Sequence, residues 1–211
     1  AIATVVAYVL VRRDSEWFHS FVNVGLAAGR DPSATTAYLR ATLYSKPSAN
    51  EGLSALATFL FTHNAQIALF AFALGFALCL PTAALMVLNG AMLGAFLALF
   101  ISRDLGVEAT GWLMIHGTTE LFAIVLAGAA GFSIGWAVAF PGDRTRVDAA
   151  GEAGRRAATA MAGVVVMLFV AGLLEGFGRQ LIQLDLARYS VAGGMLVFWL
   201  AYFYWPRRTR P

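Results

Sequence analysis

Long apolar runs alternate with short polar segments along this chain, and the runs predict membrane helices. The opening Ala1–Val11 stretch ends at Arg12-Arg13 and makes only ~16 Å of helix, so it reads as the tail of a span that begins upstream. From Arg12 to about Ala57 the pattern turns mixed. Asp31-Pro32 predicts a helix start, with the carboxylate as cap and proline in the first turn. Pro32–Tyr44 then places Ala34, Ala37, Tyr38 and Ala41 on one side as a weakly amphipathic helix. Lys46-Pro47 ends it, and a new helix start is expected near Ser48 or Asn50. Phe59–Leu80 reads as the second span, a tight turn follows at Pro81-Thr82, and Thr82–Ile101 forms the third. Arg103–Gly111 is a polar link. The stretch from Trp112 leads into an uncharged run, Leu121–Phe140, long enough for a ~30 Å hydrocarbon core. Pro141–Arg156 is a basic loop, and Ala157–Phe177 and Ala187–Trp205 complete the set.

The expected fold is therefore all-α: a polytopic integral membrane helix bundle of about six spans, with an amphipathic helical insert after the first. Its parts are 1–12, the end of a transmembrane helix; 13–57, the extramembrane or interfacial insert; and 58–211, a five-span core.

Composition agrees with a membrane location. Of 211 residues 59% are hydrophobic and 13% charged, with a mean hydropathy of +0.70, against about 25% charged in an ordinary soluble domain. Every basic residue except Lys46 is arginine, which reads as a topology and headgroup signal and not as a nucleic-acid surface. The arginines of the Pro141–Arg156 loop and of the C-terminus fall on one side and place the C-terminus in the cytoplasm, although the other side carries as many. Trp199, Tyr202, Tyr204 and Trp205 read as an interfacial belt, and Trp112 as an anchor. Cys79 stands alone, so no intramolecular disulfide forms. No secretory signal is evident, because Arg12-Arg13 follows the first apolar run instead of preceding it.

The chemistry is concentrated in a few polar residues inside apolar runs. His116 and Glu120 lie four apart, on one face of a helix. They are either a functional site buried in protein or the hydrated mouth of a span. Six crossings bring the start of span two, with His63 and Asn64, to the same side as His116 and Glu120 and as the end of span five, with Glu175 and Arg179. Two carboxylates so placed favour a shared proton. Alternatively His116, Glu120 and Glu175 hold a divalent cation. A purely structural arrangement, with Glu175 paired to Arg179 and His116 on a carbonyl, is the third possibility. Asn89, Gly90, Gly94, Gly128, Gly131, Gly135, Gly172 and Gly176 read as helix-packing positions, three GxxxG pairs among them. These suit packing within the chain or a homo-oligomer, most simply a dimer.

FLFTHNAQIALFAFALGFALCLPTAALMVLNGAMLGAF, then IHGTTELFAIVLAGAAGFSIG and GLLEGFGR, resemble the stage II sporulation protein M family of bacterial multipass membrane proteins. The resemblance covers Phe59 to Arg179. It rests on Asn64, Asn89-Gly90, His116-Gly117 with Glu120, Ala127-Gly128 with Gly131, and Glu175. Ile115 stands where the family often has proline. The resemblance implies a bacterial inner-membrane protein, with sporulating members similar in role to a scaffold that recruits peptidoglycan-degrading partners. The expected function is thus a non-enzymatic scaffold or assembly component of the cell envelope. The alternative is a proton- or cation-coupled transporter or channel. No cofactor or nucleic acid is expected, and no serine nucleophile pairing, HExxH or Gly-rich phosphate loop suggests an enzyme. The bilayer, further copies of the chain and envelope proteins are the expected partners.

Overall fold

The computed structural model describes residues 1–44, 53–178 and 181–205, with the helix path alone over 53–60. The described chain is helical without a strand. It runs α1 (Ile2–Arg13), α2 (Trp17–Phe21), α3 (Val24–Ala27), α4 (Thr36–Tyr44), α5 (Leu53–Ala73), α6 (Leu80–Ile101), α7 (Gly106–Ala139), α8 (Arg146–Leu173) and α9 (Asp185–Tyr204). A 3-10 turn, Leu74–Phe76, extends α5, and a π-helical turn, Leu174–Gly178, extends α8. Among the described residues four helices, α6, α7, α8 with its π turn, and α9, are long and apolar enough to cross a membrane; the apolar Phe61–Phe76 stretch is shorter, and α1 has 12 residues. The protein is an all-α helical membrane bundle.

Several boundaries move from where local pattern puts them. The α5–α6 reversal falls at Ala77–Cys79 and not at Pro81-Thr82. Leu78 and Cys79 take the left-handed region there, with φ of 56° and 66°. Pro81 sits in the first turn of α6, where its missing N–H breaks no helical bond. Thr82 is buried, and its hydroxyl donates to the Ala71 carbonyl oxygen at 2.7 Å, tying α6 to α5. The polar link expected at Arg103–Gly111 shrinks to a turn, because α7 begins at Gly106. With 34 residues, α7 is about 51 Å long, well beyond a ~30 Å hydrocarbon core. The basic loop shortens likewise: Thr145 caps α8 by accepting the Asp148 N–H, so Arg155 and Arg156 lie on a helix. Glu152 there pairs with both Arg144 and Arg156.

Small residues set how closely the helices approach. α7 packs against α5, α6, α8 and α9, and α1 lies along α6. A Cβ at Gly94 would overlap the Thr4 carbonyl of α1, and one at Gly131 the Ala71 carbonyl of α5. Gly135 meets Cys79 and Gly75, Gly128 faces Met86, and Gly90 lies beside Thr4. Two of the three GxxxG pairs are therefore occupied by the chain's own elements. Gly172 and Gly176, the third, are buried. Ala123, Ala127, Val164, Met167 and Leu168 fill the core between α7 and α8.

The insert is folded onto the membrane core. Phe18, Val22, Leu39 and Leu43 share one apolar cluster with Ala95, Leu99 and Phe100 of α6, and Phe18 meets Phe96 edge-on at 5.6 Å. The helix expected from Pro32 starts instead at Thr36, because Asp31 accepts from both the N–H and the hydroxyl of Ser33 and closes a turn. Leu39 and Leu43 form its buried face, whereas Ala37, Tyr38 and Ala41 are exposed. The expected stop at Lys46-Pro47 and the restart at Ser48 or Asn50 lie outside the described residues.

Polar clamps hold this insert. Arg103 donates to the Pro32 carbonyl oxygen at 2.6 Å, and Arg40 pairs with Glu108 at 3.5 Å. Arg188, fully buried at the start of α9, donates to the Leu43 and Ile182 carbonyl oxygens, both at 2.9 Å, and lies 4.7 Å over the Tyr44 ring. Tyr44 donates to the Asp185 carboxylate at 3.0 Å.

Two expectations follow. Arg188→Met removes its charge-assisted bonds to the Leu43 and Ile182 carbonyl oxygens and should lower stability by about 3 kcal/mol, read from denaturation in detergent. Burial, then the bond to Asp185, pushes the Tyr44 phenol up to about 12, against ~10 unfolded. The phenol's contribution is intact below pH ~10 and is lost as pH rises toward 12. Thermal melts across that window should show the wild type losing ground to Tyr44→Phe, while below pH ~9 the offset between them stays constant.

Candidate functional site

Three helices bring their polar residues to one cavity of about 670 Å³. α5 contributes His63 and Asn64, α7 His116 and Glu120, and the π turn Glu175. α6 lines it with Asn89 and Gly90 among others, and Ala1 with Thr4 and Val5 of α1 also border it. Most of the lining is apolar, and Leu26 and Arg30 of the insert complete it.

His116 is 4% and Glu175 7% exposed, so both are held inside protein. The mouth of a hydrated helix would leave them far more open. His116 Nε2 lies 3.7 Å from Glu175 Oε1, ion-pair range without a hydrogen bond. Ligand atoms from His116, Glu120 and Glu175 all fall within 4.8 Å of one another. The helical spacing of His116 and Glu120 aims both at this point. Glu175 reaches it from a π turn, a distortion that rotates a side chain off the regular α-helical stripe and recurs at functional sites. Arg179, the expected partner of Glu175, lies outside the described residues.

Trp112 is half-buried, lines the cavity and meets His116 edge-on at 6.3 Å, so part of its ring packs against the imidazole. Trp199 leaves the interfacial belt: it is buried, and its indole N–H donates to the Thr119 hydroxyl at 2.9 Å, one residue before Glu120. Tyr202, Tyr204 and Trp205 are exposed at the far end of α9. Asn89 was expected to bond a neighbouring helix; its amide donates to Leu85 of its own helix at 2.9 Å, and the side chain also borders the cavity.

Arg30 was not anticipated. It follows Gly29, whose φ of 77° turns the chain at the end of α3. Its guanidinium donates to the Ala27 and Leu26 carbonyl oxygens, lies 5.4 Å over the Phe96 ring, and borders the cavity. Burial pulls its pKa below the usual arginine value, an effect opposed by the negative charges of Tyr38 and Glu175. An arginine in a polar insert looks unexceptional in the sequence, and only the folding of the insert onto α6 reveals its position. Arg188 is similar, although an arginine in the first turn of an apolar helix is itself a local signal.

A family model for stage II sporulation protein M matches residues 1–178. The chain belongs to that family. The match runs from α1 through the π turn and includes the insert, so it extends upstream of the Phe59–Arg179 core that carries the resemblance. Comparison with curated proteins and with solved structures gives no match. Within this family member, the described cluster of His116, Glu120 and Glu175 lies inside the matched region, and α9 lies beyond it.

The cavity should admit water. With Cys79 replaced by Ala, Asn64→Cys and Asn89→Cys should react with a water-soluble maleimide in intact vesicles, whereas Ala127→Cys, at a fully buried position, should remain unlabelled. Mass shift after quenching measures both.

Proposed function

We propose that this membrane protein binds a proton or small cation in the His116–Glu120–Glu175 cavity and moves it, or couples it to another solute, across a bacterial inner membrane. The observation that supports this reading is the convergence of one imidazole and two carboxylates within 4.8 Å at a cavity. Two carboxylates this close in a low-dielectric setting repel each other unless a positive charge is shared between them. A purely structural role needs no such pair, because truncation to apolar residues of similar volume packs as well or better. The arginine-bearing α7–α8 loop supports a cytoplasmic C-terminus, which puts the cavity and insert on the outer side.

A second reading, drawn from what the family resemblance implies, is a non-enzymatic envelope scaffold. On that reading the clamped insert is a rigid platform for envelope partners. A homo-oligomer would have to use faces other than the Gly90/Gly94 and Gly131/Gly135 stripes, which are already covered.

Purified protein in proteoliposomes with an internal pH dye separates the two. The wild type should collapse an imposed pH gradient, and Glu120→Gln and Glu175→Gln should slow this at least about tenfold, as loss of an essential proton-carrying group does, while eluting as the wild type does. Silent wild-type vesicles, with both variants failing to assemble, would instead assign the carboxylates to structure and favour the scaffold.

A further inference from the structure

The ionisable cluster in the cavity is a ligand set as well as a charge cluster. We propose that His116, Glu120 and Glu175 form a binding site for a divalent first-row transition metal ion of the Zn²⁺ type; this rests on the reading that the cavity admits cations. His116 and Glu120 sit one turn apart on α7, the arrangement that lets two side chains grip one ion from a single helix face. Glu175 closes the set from the π turn. Bond lengths of ~2.0–2.2 Å put ligand atoms on one ion roughly 3–3.5 Å apart. The present limit of 4.8 Å therefore needs a closure of about 1–2 Å, within reach of carboxylate rotation.

The donor chemistry selects among cations. An imidazole nitrogen is a poor ligand for Mg²⁺ or Ca²⁺, which favour all-oxygen shells, and a good one for Zn²⁺ and its neighbours. His63 and Asn64, on the α5 wall of the same cavity, offer further donors. The edge of Trp112 restrains the imidazole ring at 6.3 Å. Among the described side chains at the cavity, Arg30 alone brings a fixed positive charge. The guanidinium repels any further cation drawn into that cavity, so removing its charge should strengthen metal binding. A structural role for Arg30 predicts no such gain.

Calorimetric titration of metal-stripped protein in detergent with ZnCl₂ and MgCl₂, with metal content checked by mass spectrometry, tests this. One Zn²⁺ per chain should bind at least about 100-fold more tightly than Mg²⁺, as an imidazole-containing donor set requires. Glu120→Gln and Glu175→Gln should each lose at least about tenfold, the scale on which even outer partners of a metal matter. Arg30→Gln should bind several-fold more tightly. No saturable Zn²⁺ binding, equal competition by Mg²⁺, wild-type affinity in Glu120→Gln, or weaker binding in Arg30→Gln overturns the site. Should a Gln variant not fold, the Mg²⁺ competition and Arg30→Gln still decide. Proton flux that persists in chelator-treated vesicles, without Zn²⁺ binding, removes the metal site and leaves the transport reading standing; loss of both removes both.

Discussion

Close backbone approach along α7 is the constraint on which the rest of this protein depends. Water does not drive helices together within a bilayer, so association relies on dispersion and on how near two backbones come. Gly131 and Gly135 let α7 touch the end of α5 and the following reversal, and Gly128 admits Met86 from α6. Enlarging any of these positions in a filled core costs about 1–3 kcal/mol in strain. The contact also fixes the rotation of α7, and with it the direction in which His116 and Glu120 point.

That rotation places ionisable groups where they are costly. His116 and Glu175 are nearly closed off from solvent, and a buried charge without a partner destabilises by several kcal/mol. Their mutual approach, Glu120 beside them, and Arg30 at the same cavity offset the cost. On the proposed cation-binding reading, each added positive charge changes which carboxylate is compensated, so packing and charge act together.

The insert takes part in that balance. Its apolar side continues the core of α6 through Phe18 and Leu39, while Arg188, Arg103 and Tyr44 anchor its turns to helix ends. Most of these bonds end on main-chain carbonyl oxygens that a short-helix segment leaves free. The result is a cap that brings one guanidinium, Arg30, to the border of the cavity the carboxylates line.

Membrane character, helical class and the pairing of His116 with Glu120 were legible in the sequence, because each depends on length, composition or spacing within one helix. The family likeness was legible too, from Asn64, Asn89-Gly90, His116-Gly117 and Glu175. Helix ends were less so: Thr145 caps α8 and Asp31 closes a turn, and the same residue types serve either purpose until the neighbouring backbone is known. The approach of Glu175 to His116, the contact of Trp112 with His116, the burial of Trp199 against Thr119, and the position of Arg30 were decided only by tertiary structure. Each is a relation between segments far apart in the chain, set by which faces of rigid helices meet, and no local pattern encodes the rotation of one helix against another.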